Sequence, residues 1–223
     1  MIDIRINKQI TNSVPTFKIG AITYHHIAIG ASPQMLKGRL QFFQEVLMID
    51  LDSKDLSEVP GILEWRETMR LLQMNPDHTS PSHETLYRKI QKGLFFQSEH
   101  SAVDLNTFFT LQYAIPFGLY NLEAINGPID IRLGTKADTY EGSDGVTHHA
   151  SNTLISADQN GVFGSLVANS ARTNVTTETK SALQLIYFRP SMEIAEANEL
   201  MNAVGTMFTQ VHGGDFTSMI VKT

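Results

Sequence analysis

The sequence predicts a single mixed α/β (α+β) domain, and three observations carry that prediction. Apolar residues recur at helical spacing in separated windows, among them Leu36, Leu40, Phe43 and Leu47, and later Ile194, Ala197, Met201, Val204 and Phe208. Between such windows lie runs rich in β-branched and aromatic residues, at positions 17–29 and 183–188. No repeat, low-complexity tract or linker divides the 223 residues, a length that single domains reach.

The elements follow in order. Residues 2–6 alternate weakly, and 17–29 (FKIGAITYHHIAI) read as a strand region with a possible break at Gly20. His25 and His26 are adjacent on that strand, so their side chains point to opposite faces and do not share one metal ion. Ser32-Pro33 predicts a helix start with Ser32 as N-cap, followed by the Leu36–Leu47 stripe. Asp50, Asp52 and Asp55 lack the further oxygens and terminal Glu of a calcium loop and read as a solvated linker. A second helix is expected over 62–74, with Ile62, Trp65, Met69 and Leu72 inward and Arg66 paired with Glu64 or Glu67 on its own helix.

Ser80-Pro81 repeats the cap-plus-proline start, with Leu86 and Ile90 on one face and Gly93 as the stop. His78, His83 and Asp77 have no diagnostic ligand spacing. A helix over 107–112, capped by Asp104 or Asn106, ends at Pro116, and Gly127-Pro128 turns the chain into a strand at 129–133. Residues 135–152 read as a long mobile loop. Asp158-Gln159-Asn160-Gly161 predicts a hairpin, and Gly213-Gly214 a turn into a closing strand at 216–221.

Composition bounds the chemistry. With 42% hydrophobic residues the chain can bury about 70% of its extended surface. The absence of cysteine excludes disulfides, thiolate metal sites and cysteine nucleophiles. No leader pattern opens the chain and no apolar run approaches the ~18 residues of a membrane span, so a cytoplasmic protein without membrane contact is expected. The net charge is −6: residues 1–100 hold 11 basic and 11 acidic side chains, and residues 101–223 hold 6 and 12. No bulk basic excess favours nucleic acid, so a basic patch depends on whether folding gathers Arg66, Arg70, Arg88, Lys89 and Lys92 on one side.

The standard catalytic signatures are missing: no G-x-S-x-G elbow, no P-loop, no G-x-G-x-x-G after a strand and no H-E-x-x-H. Asp104, Asp158 and Glu178 each sit where a cap or turn needs an oxygen, so no catalytic residue is assigned. No cofactor or metal is expected.

Two segments, 101–133 and 170–188, carry a pattern of their own. It comprises Val103-Asp104, Pro116, Gly127, Arg132, Asp158 and the run from Arg172 through Thr173, Asn174, Val175, Thr176, Thr177 and Glu178 to Thr179. Trp65-Arg66, Pro76, Ser82, Glu84, Leu86 and Arg88 extend it upstream. In these residues the chain resembles the editing domain of the phenylalanyl-tRNA synthetase beta subunit, and more closely the free-standing proteins built from that domain alone. The resemblance is strongest over residues 65–201 of a single domain spanning 1–223.

The resemblance implies a central mixed β-sheet or sheet-sandwich core flanked by helices. It also implies hydrolysis, of the deacylase type, of an amino acid wrongly esterified to tRNA, and an activity of that kind rather than a synthetase's is expected. The expected pocket lining is Asn106, Thr107, Pro116, Gly118, Tyr120, Arg172, Thr173 and Leu185. Within it the family histidine falls on Gly118, the family carboxylate on Leu185, and a threonine-asparagine pair appears in reverse as Asn106-Thr107. The glycine-pair turn falls on Asn169-Ser170. Two readings therefore stand side by side: a hydrolase acting on misacylated tRNA, and a non-catalytic binder of an amino acid, a related small molecule or RNA.

Overall fold

The computed structural model describes residues 2–222. Two four-stranded sheets lie face to face, with helices on the outer side of one of them. The first sheet is ordered β1 (Ile4–Ile6), β4 (Ile129–Leu133), β7 (Leu154–Asp158) and β8 (Gly161–Ser165). It is mixed, because β1 runs parallel to β4 while the later pairs are antiparallel. The second sheet is antiparallel throughout and ordered β10 (Asp215–Val221), β2 (Ile19–His25), β9 (Ala182–Tyr187) and β3 (Phe117–Asn121).

Alternation sorts the second sheet's side chains. Tyr24, Gln184 and Leu119 share one face and Gly118, Tyr120 and Tyr187 the other. The first face packs on α5 (Ser101–Tyr113) and α6 (Ile194–His212), where Tyr24 stacks on Phe208 at 4.1 Å between ring centroids. The second meets the mixed sheet: Tyr120 packs edge-on against Phe163 at 4.8 Å, and the Tyr187 and Ser156 hydroxyls hydrogen bond at 2.6 Å. The result is one α+β domain with a sheet-sandwich core flanked by helices, as the sequence and its resemblance predict.

The remaining helices are α1 (Lys8–Ser13), α2 (Gln34–Asp50), α3 (Pro60–Leu71) and α4 (Ser82–Gln91). α2 lies against α4 and α5 through Leu36, Leu40 and Gln44. Trp65 of α3 is buried between Phe17 and Tyr187, edge-on to both.

Several local expectations are corrected. Ser32 and Ser80 do not cap: Pro33 and Pro81 hold the N-cap positions, and the Ser32 hydroxyl donates to Asp104 instead. α5 starts six residues before Thr107, capped by His100, whose ring nitrogen accepts from the Val103 N–H. Asp104 is thus inside the helix, its buried carboxylate taking the Ser32 and Ser98 hydroxyls and the Glu99 N–H. Asn106 lies in the helix as well, not at its cap.

Residues 135–152 are not a plain loop, because β5 (Thr139–Glu141) and β6 (Thr147–His149) pair there. Asp138 anchors them by accepting two hydrogen bonds from Arg132, at 2.7 and 2.8 Å, and one each from the Thr135 N–H and hydroxyl. The Arg132 hydrogen bonds, outweighing partial burial, hold its carboxyl far below the usual range.

Arg66 does not pair within its own helix. It reaches α4 and holds the buried Glu84 through two hydrogen bonds of 2.9 and 2.7 Å, while Arg88 adds a third at 2.6 Å. Two of the five cations of the possible basic patch are therefore spent on one carboxylate. His26 leaves the strand with φ of 58° and meets Asp215, while His25 meets Ser181. Among the described residues no group of three or more His, Asp or Glu side chains could hold a metal ion, and no helix is long and apolar enough to cross a membrane.

Candidate functional site

The two pattern-bearing segments meet at an open cleft of about 590 Å³ between α5 and residues 174–177. Val103, Asn106 and Thr107 supply one wall and Asn174, Val175, Thr176 and Thr177 the other. Leu119 of β3 and Asn169 also line it. α5 places its residues there because its opposite side, with Leu105, Phe108 and Leu111, is drawn into the core. The second wall is a non-helical turn closed on itself, with Thr176 N–H bonded to the Thr179 hydroxyl and Thr179 N–H to the Thr176 carbonyl, and it meets α5 through the Val175 carbonyl and His100 Nε2 at 3.2 Å.

A smaller hollow of about 180 Å³ shares Asn106, Thr107 and Asn169 and continues to Pro116, Gly118, Ser165 and Tyr187. Of the eight expected lining residues, Asn106, Thr107, Pro116 and Gly118 line one or both hollows. The other four lie elsewhere. Arg172 turns away, holding Asp158 at 2.9 and 3.1 Å together with the Ala124 and Gly161 carbonyls. Thr173 is buried with its hydroxyl directed at the Phe163 and Ser170 carbonyls. Leu185, opposite Gly118 in the sheet, is buried between the layers. Tyr120 is buried beneath Gly118.

The polar character of the cleft is specific. Tyr24 donates to Gln184 Oε1 at 2.8 Å and Gln184 Nε2 donates to Asn106 Oδ1 at 2.8 Å. Because that chain occupies the Asn106 oxygen, its amide N–H₂ is the group left to face a ligand; its contact with the Phe117 carbonyl is a long 3.5 Å. Thr107 adds a hydroxyl. His100 is engaged on both ring nitrogens, Nδ1 accepting from Val103 N–H at 3.4 Å and Nε2 meeting the Val175 carbonyl at 3.2 Å, so the neutral Nε2–H tautomer fits. Glu99 is the one carboxylate in the lining, and no Lys or Arg joins it. Such a cleft can bind an uncharged polar group beside a cation.

Gln184 is the contributor that reading by element type overlooks. Its signal was present: a lone amide in the apolar run ALQLIYF is a buried polar group that requires partners. His100 and Glu99 gave none, since only the extra N-terminal turn of α5 brings them to the cleft.

Comparison with known proteins places the sequence in a family. An N-terminal fragment of the phenylalanyl-tRNA synthetase beta-subunit from Pyrococcus horikoshii aligns in structure with a TM-score of 0.48 and 11% identity, over 100% of this chain and 55% of that fragment. The uncharacterized protein YhzB of Bacillus subtilis (strain 168) is 34% identical over 218 residues, 96% of this chain and 97% of that protein. A model of the B3/4 domain matches residues 64–206, which include both walls of the cleft. The chain thus belongs to the B3/4 domain family, the domain found in the phenylalanyl-tRNA synthetase beta subunit.

Proposed function

We propose that this protein is a stand-alone relative of the synthetase domain that acts on aminoacyl-tRNA, hydrolysing the ester of a misattached amino acid in the cleft beside α5. The observation that carries the reading is the meeting of the two family-patterned segments, through Asn106-Thr107 and Asn174–Thr177, on one cleft large enough for an aminoacylated nucleoside. The Asn106 amide and the Thr107 hydroxyl supply hydrogen bonds for the ester carbonyl and an attacking water, and the Glu99 carboxylate suits the α-ammonium group. Water adds to the carbonyl carbon, the C–O bond to the ribose breaks, and free amino acid and tRNA leave. The absence of basic side chains from the lining is consistent with a site for the aminoacyl end, with tRNA phosphates held elsewhere.

The test is deacylation of a panel of mischarged tRNAs by the purified protein. Loss of one ester faster than the uncatalysed background is expected, and loss of none overturns the reading. A second reading, an amino-acid or small-molecule binder without chemistry, is favoured by one observation: both nitrogens of His100 are engaged, so no free imidazole base serves the cleft. It predicts a thermal shift with an amino acid or nucleoside, or a tRNA gel shift, unaccompanied by hydrolysis.

A further inference from the structure

Ser165 lines the small hollow and also a third cavity, a chamber of about 430 Å³ between the loop before α4 and the β5–β6 hairpin. The ionisable side chains of its lining are His78, His148, His149 and Tyr140, and no Asp, Glu, Lys or Arg joins them. Thr79, Ser80, Thr85 and Thr153 add hydroxyls. The back wall is fixed. Tyr140 is buried there, its hydroxyl meeting Ser165 at 2.8 Å and its ring stacking on His148 at 5.1 Å between centroids.

Thr153 is the observation that points to a ligand. It is 8% exposed, with its N–H bonded to the Ala150 carbonyl and its own carbonyl accepting from the Gly134 N–H. Its hydroxyl meets no polar atom of the described residues, yet it is not sealed off, and the cavity that it lines is this chamber. A hydroxyl held in the interior without a partner costs stability unless a guest satisfies it. The hydroxyls of Thr79, Ser80 and Thr85 and the rings of His78 and His149 are likewise without a partner among the described residues. His148 differs, since its Nε2 meets both Asp144 oxygens at 3.2 Å.

We infer that this chamber is a binding site for a phosphate group carried on a larger molecule. Two free imidazoles and four free hydroxyls offer more donors than the two oxygens of a carboxylate use, and they suit the larger acceptor set of a phosphate. α4 adds its N-terminus. Ser80 and Thr85 flank its first turn, and no side chain caps it, so the positive end of the helix dipole lies at the chamber. The acids around it are already met: Glu84 by Arg66 and Arg88, Asp77 by Arg66, Asp138 by Arg132 and Asp144 by His148. The volume exceeds what a phosphate alone fills and leaves room for the group that carries it. This assignment does not need the cleft to be catalytic. Where the cleft takes the aminoacyl end of a tRNA, the chamber is the place for a phosphate of the same RNA.

Histidine NMR of the full chain tests this, at constant ionic strength, with inorganic phosphate, a nucleoside monophosphate and a single-stranded RNA trinucleotide as probes. Phosphate should shift the ring signals of His78 and His149 and leave those of His25 and His26 on the second sheet unmoved; chloride should shift none. Thr153→Val keeps the shape and should weaken phosphate about tenfold or more, the loss of one hydrogen bond to a charged group, without lowering the melting temperature. His149→Ala, at an exposed position, should also weaken it and leave the melting temperature unchanged. Displacement of phosphate by the trinucleotide supports the site and assigns it to RNA. Displacement by the monophosphate alone supports it as a site for a small phosphorylated molecule. Equal shifts with chloride overturn the inference, as does no shift up to about 30 mM phosphate, well above a roughly millimolar affinity. Native affinity in Thr153→Val overturns it too. None of these readouts uses deacylation, so failure of the chamber and failure of the cleft are separate results.

Discussion

Gln184 Nε2 donates to Asn106 Oδ1 at 2.8 Å, and so a fully buried strand residue sets which end of a cleft amide faces the ligand. Gln184 is itself oriented by Tyr24, whose hydroxyl donates to Oε1 at 2.8 Å. Gln184→Leu keeps the bulk but strands the buried Tyr24 hydroxyl, a loss of about 1–3 kcal/mol. It also frees Asn106 to rotate. The urea midpoint should fall, and turnover or ligand affinity should fall further than in Tyr24→Phe, which leaves the Gln184–Asn106 bond in place.

Glu84 of α4 ties that helix to α3 through Arg66. Burial alone would raise its carboxyl, yet hydrogen bonds from Arg66 and Arg88 outweigh burial and hold it below the ordinary range. Arg66→Ala leaves the buried Glu84 carboxylate with only the half-exposed Arg88, so it should cost about 3–5 kcal/mol. Arg88 is roughly half exposed, and Arg88→Ala should cost less than about 1 kcal/mol. Equal losses in chemical denaturation would contradict this division of roles.

These cases show how far the residues spoke for themselves. Leu36, Leu40 and Trp65 faced the core as their spacing required, since helical periodicity is set by one face meeting one neighbour. Local spacing offers Arg66 only Glu64 or Glu67 and says nothing of a carboxylate 18 residues away, which is the one it holds. Ser32 looked like a cap by type, but the buried Asp104 carboxylate is the stronger acceptor and takes its hydroxyl. In the cleft, Asn106 and Thr107 were legible from the family pattern. Arg172 and Thr173 belong to that pattern but support the turn and do not line the cleft.

Acid should weaken the fold through two histidines. Burial pushes His83 down to about 3 and His212 down to about 4. His212 sits between the Phe208 carbonyl and the Ser101 hydroxyl, both at 2.9 Å, which suits a neutral ring. The unfolded chain takes up protons near 6.5, and the folded chain resists until far lower pH. Stability is therefore full above 6.5 and declines as pH falls toward 4, by about 2 kcal/mol per histidine at pH 5. Denaturation at pH 7 and pH 5 should show the drop, and His212→Gln should flatten part of it; a midpoint that does not move would refute it.

Thr107 faces solvent in both hollows and makes no hydrogen bond that the fold depends on. Thr107→Val keeps its shape and removes its hydroxyl. Stability should change by less than about 0.5 kcal/mol, as for surface positions without special contacts. Deacylation, or binding if no hydrolysis occurs, should fall about tenfold or more, the effect of losing one hydrogen bond of roughly 1.4 kcal/mol. A variant as active as the native chain would remove Thr107 from the site.

Gly118 and Tyr120 compete for one space in the sheet. A Cβ built on Gly118 would lie 2.1 Å from Tyr120 Oη and 2.6 Å from Cζ, and one on Gly164 would lie 2.2 Å from the same hydroxyl. The phenol thus occupies the space that a side chain at 118 would need. Its hydroxyl, close to Tyr187, finds no hydrogen-bond partner, and burial drives its ionisation well above the ordinary range. Three consequences are measurable by denaturation. Tyr120→Phe removes an unpaired polar group and should be neutral or mildly stabilising, where a buried tyrosine with a made hydrogen bond would lose about 1 kcal/mol. Gly118→Ala should cost at least about 1–3 kcal/mol, because ring carbons as well as oxygen block the methyl group. Tyr120→Leu shortens the side chain and leaves a gap, so combining it with Gly118→Ala should cost less than the two single changes added, by about 1 kcal/mol or more. Strict additivity would mean that residues 118 and 120 do not compete for one space.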